Sequence, residues 1–152
     1  MHFDLSNYIS KTADVILSLK KEEAKIKKIA YEILKTRNKG NKILLAGNGG
    51  SCADIEHFGG ELICTFSKRN RSPISTQVLT NHSSAITAWG NDFNFKTYFE
   101  RQIEANGKRG DLLLVLSTGG GNIKKNISTN LILAAKKAKK KGIKVISLVG
   151  KS

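Results

Sequence analysis

Two continuous apolar runs constrain this chain more than any other feature. Lys42-Ile-Leu-Leu-Ala46 and Asp111-Leu-Leu-Leu-Val-Leu-Ser117 show no alternation of apolar and polar residues. A strand with one wet face alternates, and a strand covered on both faces does not, so both runs read as buried strands of a parallel sheet. Further strand-like runs stand near residues 74–79 and 143–149, with helical stretches between them. Strands alternating with helices predict an α/β fold, a doubly wound parallel sheet in three layers. Pro73, the sole proline, precedes the second run and fits a loop entering a strand.

Both central runs empty into glycine. The first is followed by Gly47-Asn-Gly-Gly-Ser-Cys-Ala-Asp-Ile-Glu-His-Phe-Gly-Gly-Glu61. A glycine-rich turn between a strand and a helix start exposes backbone N–H groups to an anion. Gly47, Gly49 and Gly50 let a ligand approach the main chain, and Ser51 with Asp54 fits a helix-start capping box. Alternatively, the Ser51 hydroxyl donates to a phosphate oxygen. His57 and Glu61, four residues apart, share one helical face, as a metal- or proton-handling pair would. Cys64 falls on that face too, as a conceivable third ligand, although burial as a small apolar residue is its commoner use.

The second run delivers Ser117 and Thr118 into Gly119-Gly120-Gly121-Asn122. Ile123, Ile127, Leu131, Ala134, Ala135 and Ala138 then predict a helix by their spacing. Two strand ends that carry hydroxyls and glycines into helix starts define a ligand crevice at the carboxyl edge of the sheet. An anion cradle beside a His–Glu pair points to an enzyme acting on a phosphorylated small molecule.

Residues Asp4–Lys35 show helical periodicity in two pieces. The expected organisation is one domain over 1–152, with N-terminal helices in 1–36 and the α/β core in 37–152. Those helices carry apolar residues with no sheet of their own to cover, which predicts packing against another subunit, with packing on the chain's own core as the alternative. At 152 residues the length suits a single core. Cys52 and Cys64 form no metal-type pair and no disulfide framework, which suits reduced thiols in a cytosol. No apolar run is long enough for a membrane helix, and the N-terminus lacks the pattern of a signal peptide. The net charge of +14 is concentrated in Lys20–Lys28 and Lys136–Lys141, on helical stretches without interleaved aromatics. That pattern fits a solvated face that steers an anionic substrate, rather than specific nucleic-acid binding.

The stretch Gly47–Glu61, the segment Thr87-Ala-Trp-Gly-Asn-Asp-Phe93 and the Ser117-Thr118 loop together resemble the phosphoheptose isomerases. These are sedoheptulose 7-phosphate isomerases of the SIS (sugar isomerase) domain superfamily, with a flavodoxin-like sheet. The resemblance implies substrate contacts at Asn48, Gly49, Gly50, Ser51, Asn91 and Asp92, and at the phosphate loop residues Ser117, Thr118, Gly119 and Asn122. It implies zinc ligands at His57 and Glu61, with Glu61 also contacting substrate as the catalytic carboxylate. The phosphate loop departs from the family's Ser-Thr-Ser-Gly-Asn-Ser: Gly119 and Asn122 stand where hydroxyls are usual. The family also continues past the position of Ser152 with a segment supplying a Gln and a His, which have no counterpart here.

The resemblance further implies a homotetramer in the cytoplasm, making D-glycero-D-manno-heptose 7-phosphate for bacterial surface polysaccharide. Trp89 and Phe93 are expected in the core or against the sugar, His82 in a capping or loop role, and His2 at a mobile terminus. The alternative is a non-catalytic SIS protein that senses a sugar phosphate or binds a protein partner. The carboxylate at Glu61 and the intact Trp89-Gly-Asn-Asp-Phe93 segment favour the enzyme.

Overall fold

Leu44 and Leu113 lie side by side at the centre of a four-stranded parallel sheet. The computed structural model describes residues 4–150. The chain divides into two units, 1–34 and 35–152. In the first, helix α1 (Leu5–Ser18) starts at Asp4, whose carboxylate accepts the Asn7 N–H at 3.0 Å. A 3₁₀ turn over Leu19–Glu22 follows, and helix α2 (Glu23–Asn38) runs on into the second unit. The two helical pieces expected over 4–35 are thus present. Leu5, Ile9, Val15 and Ile16 on α1 are exposed.

The second unit holds strands β1 (Ile43–Gly47), β2 (Thr76–Val78), β3 (Leu112–Ser117) and β4 (Lys144–Val149) in the order β2-β1-β3-β4, all parallel. Helix α3 (Gly50–Ile63) joins β1 to β2, and α4 (Ser83–Asp92) and α5 (Tyr98–Asn106) join β2 to β3. Helix α6 (Thr129–Lys140) joins β3 to β4. The connection from β2 to β3 crosses over β1, so the order reverses between β1 and β3, the two central strands read from the sequence.

Strand parity sorts the core into two faces. Leu44, Ala46, Leu113 and Val115 pack with Phe99 and Ile103 of α5 and Leu131, Ala134 and Ala138 of α6. The other face meets α3 at Gly59, where an added Cβ would come within 3.0 Å of Leu45 Cδ1 and 3.2 Å of Val78 Cγ2. The side chains of Ile43 to Ala46 and of Leu112 and Leu113 are fully buried, which is why these runs do not alternate. This is the three-layer α/β architecture expected.

One buried charge fastens the entrance to β1 and β3. Asp111 accepts from Lys42 Nζ at 2.7 Å, from the Lys42 N–H at 3.1 Å and from the Lys108 N–H at 2.9 Å. Tyr98 is the opposite case, since it is buried and its hydroxyl has no partner among the described residues. Tyr98→Phe is therefore expected to leave stability unchanged or raise it by up to about 1 kcal/mol, read as the thermal midpoint.

Candidate active site

The first loop begins with an enforced glycine. A Cβ at Gly47 would lie 2.7 Å from the Ser51 carbonyl oxygen, because α3 turns back directly over the strand end. Gly49 has φ +54 and caps the helix through its carbonyl, which accepts the Cys52 N–H at 2.9 Å. The capping box expected from Ser51 and Asp54 is not formed. The helix already starts at Gly50 with no side-chain cap, so Ser51 sits in the first turn with its hydroxyl uncommitted to capping.

Along α3, His57 Nε2 stands 3.2 Å from Glu61 Oε1, the shared face that their spacing predicts. His57 is largely exposed and Glu61 half-buried. The second carboxylate oxygen, Glu61 Oε2, is buried with no partner among the described residues. A buried oxygen without a donor is costly unless a ligand, proton or cation completes it. An imidazole and a carboxylate with a spare buried oxygen fit two positions around a zinc ion. No group of three or more His, Cys, Asp or Glu stands together among the described residues, so the pair falls short of a closed site.

Sequence reasoning misses the residue that holds this turn in place. Arg71 Nη2 donates to the Glu61 carbonyl at 2.6 Å and to the Cys64 carbonyl at 3.4 Å, while Nη1 donates to the Leu62 and Ser72 carbonyls at 3.0 Å. One guanidinium thereby satisfies the carbonyls that end α3. Cys64 caps that helix end and is exposed rather than buried, and it forms no three-residue metal group with His57 and Glu61 among the described residues. The helix ends at Ile63, and the Cys64 N–H still donates to the Gly60 carbonyl at 2.8 Å.

Cys52 is half-buried, with its Sγ 3.1 Å from Thr80 Oγ1 and 3.5 Å from Glu56 Oε1. Burial pushes its thiol pKa up, the Thr80 contact opposes this, and Glu56 adds to the rise. Because thiolate is the reactive form, iodoacetamide at neutral pH is expected to label Cys64 before Cys52, read by peptide mass spectrometry. Faster labelling of Cys52 would show that its thiol is not held protonated.

The second loop differs most from expectation. Ser117 ends β3 and its hydroxyl donates to the Gly120 carbonyl at 2.9 Å. Thr118 and Gly119 are exposed. Asn122 does not enter a helix: its N–H and C=O pair with Ile127 in both directions at 2.9 Å, closing a small hairpin. Asn122 Oδ1 accepts the Lys125 N–H at 3.0 Å. Asn126 and Ser128 have φ of +53 and +46, angles that interrupt a right-handed helix, and α6 begins only at Thr129. Ile123 and Ile127 are therefore exposed loop residues whose helical spacing is fortuitous. The readable signal was Ser128-Thr129-Asn130 before Leu131, a polar helix start that the isoleucine spacing masked.

A pocket of 360 Å³ brings the two loops together, lined by Asn48, Asn94, Phe95, Lys96, Asn126, Ser128, Thr129 and Asn130. Of the expected site residues, only Asn48 lines it. Asn91 and Asp92 end α4 shortly before it in the chain, exposed, with Asn91 Nδ2 donating to Asp92 Oδ1 at 2.8 Å. Trp89 anchors this segment: its Nε1 donates to Thr97 Oγ1 at 3.0 Å and its ring stacks on Phe93 at 4.3 Å. His82 sits at the N-cap of α4, where its side chain makes no capping bond. His2 lies outside the described residues.

Comparison with known proteins agrees with this architecture. The SIS domain family matches residues 7–150. A phosphoheptose isomerase of Aliarcobacter butzleri is 45% identical over 139 residues, covering 91% of this chain and 68% of that protein. One from Akkermansia muciniphila is 37% identical, covering 97% of this chain and 74% of that protein. The solved phosphoheptose isomerase of Francisella tularensis superposes with a TM-score of 0.80 at 28% identity, over 99% of this chain and 79% of that one. The structure from Neisseria gonorrhoeae gives 0.76 at 32% identity, over 96% and 75%. With its two glycine loops at the reversal of a parallel sheet and the His–Glu pair on α3, this chain belongs to the SIS domain family and, within it, to the phosphoheptose isomerases, which are phosphosugar isomerases.

Proposed function

We propose that this chain interconverts sedoheptulose 7-phosphate and D-glycero-D-manno-heptose 7-phosphate. The observation that carries the reading is the unpartnered, buried Oε2 of Glu61 beside His57, on the helix that rises from the first glycine loop. A buried carboxylate oxygen with no donor is suited to take a proton from substrate. Glu61 removes a proton from C1, next to the C2 carbonyl, giving the C1–C2 enediol. A proton returns to C2, the O1 proton is lost, O2 keeps the one it gained, and the aldose results. Atoms and charge balance without an external oxidant.

Gly49, Gly50 and Ser51 offer donors around the sugar, and the exposed Thr118, in the turn that the Ser117 hydroxyl closes onto the Gly120 carbonyl, holds the phosphate and so fixes C1 against Glu61. His57 and Glu61 would hold zinc, which when bound supplies positive charge beside the sugar oxygens. Exposed Leu5, Ile9 and Ile16 on α1 support burial between subunits, as in a homotetramer. The setting proposed is the cytoplasm, with the heptose supplied to surface polysaccharide.

Running the reaction in D₂O tests the proton step. The aldose product is expected to carry deuterium at C2, because a half-buried Glu61 exchanges with solvent. Product free of deuterium at every stage of turnover would instead indicate transfer within the sugar and contradict a solvent-reached base.

A further inference from the structure

Asn130 is 5% exposed at the second position of α6, and its amide faces the amide of Asn48 in a two-way exchange. Asn48 Nδ2 donates to Asn130 Oδ1 at 3.0 Å, and Asn130 Nδ2 donates back to Asn48 Oδ1 at 2.9 Å. The Leu131 N–H also donates to Asn130 Oδ1 at 2.9 Å, which orients that amide. The two residues are 82 positions apart in sequence and belong to the connections that leave neighbouring central strands, paired at Gly47 and Leu116. A single side-chain pair therefore ties the first glycine loop to the start of α6, against the pocket that both residues line.

We propose that Asn130 is a positioning residue for substrate binding: through Asn48 it locks the Gly47–Ser51 loop against Ser128 and Thr129, so that both loops form one preorganised seat. The inference rests on the sugar-phosphate reading above. With its amide occupied by Asn130, Asn48 contributes to the seat as a strut, and the loop meets the ligand through its backbone N–H groups and Ser51. Two bonds form only because each carboxamide both donates and accepts. An ionised aspartate at 130 has no donor and sets an oxygen against Asn48 Oδ1. Freezing the loops before the ligand arrives lowers the cost of binding, so loss of the lock acts on affinity before it acts on chemistry.

The test is a cycle of Asn48→Ala, Asn130→Ala and the double variant, with Asn130→Asp alongside. Each is followed by calorimetric binding of sedoheptulose 7-phosphate, by isomerisation and by thermal unfolding. Each single substitution is expected to raise Kd and KM about tenfold, the scale of one unmade buried hydrogen bond, with kcat within about threefold. The double variant is expected to be no worse than either single, because both break the same lock. Asn130→Asp keeps an acceptor for Asn48 Nδ2 and the Leu131 N–H but loses the donor to Asn48 Oδ1, and it is expected to raise Kd and KM about as much as Asn130→Ala.

Unchanged affinity in Asn130→Ala or in Asn130→Asp, or additive losses in the double, would each overturn the proposal. Should Asn130→Ala unfold, Asn48→Ala and Asn130→Asp decide it. Wild type that binds the sugar phosphate without turning it over would fail the proposed reaction while the binding cycle still judges the lock. Wild type that binds no sugar phosphate would overturn both.

Discussion

Glu61→Gln is expected to lower kcat by about 10³-fold, within the range typical of a lost general base, while sedoheptulose 7-phosphate binding changes little. The amide keeps the size and shape of the carboxylate but cannot take a proton. The backbone of residue 61 stays pinned by Arg71, whose Nη2 lies 2.6 Å from its carbonyl, so the helix end should not move. The split between kcat and binding is the informative quantity. Equal loss of both would reassign Glu61 to holding the helix or the metal, and measured zinc content would separate those two.

The second large effect concerns stability. Asp111→Ala is expected to cost about 3 kcal/mol, lowering the thermal midpoint by about 6–12 °C for a chain of this size. Asp111 is 2% exposed and accepts three bonds, two of them from backbone N–H groups that would be left without it. Lys42, whose side chain is 19% exposed, would lose its only counter-ion among the described residues, at the mouth of the central strands. Asp111→Asn should be nearly as damaging, because an amide nitrogen cannot accept from the Lys108 N–H that now meets Oδ2. A midpoint within a degree of wild type for both variants would show that this charge is incidental to the fold.

The central strands were legible because burial on both faces erases alternation, a property of contiguous residues. The expected runs 42–46 and 143–149 differ from the observed Ile43–Gly47 and Lys144–Val149 by a residue at one or both ends. Strand β2 covers only Thr76–Val78 of the expected 74–79, since an edge strand pairs on one side alone. His57 and Glu61 were equally legible, their contact being set by helical geometry.

What local pattern could not supply was anything decided by a distant partner. The two-way bond between Asn48 and Asn130 joins residues 82 positions apart, and Arg71 reaches back across a loop to Glu61. Neither leaves a periodic trace. The start of α6 departs from its expected position for a related reason. Ile123 and Ile127 have the right spacing, but the hairpin closed by Asn122 and the positive φ of Asn126 and Ser128 forbid a helix there. At Ser51 the local signal was real yet lost, because Gly49 had already taken the cap one residue before the helix.

The most direct measurement is NMR of sedoheptulose 7-phosphate incubated with this chain and zinc. The account predicts signals of D-glycero-D-manno-heptose 7-phosphate that grow with enzyme concentration and appear about 10³-fold more slowly with Glu61→Gln. A sugar spectrum that stays unchanged with folded wild-type protein, or product formed equally by Glu61→Gln, would contradict it.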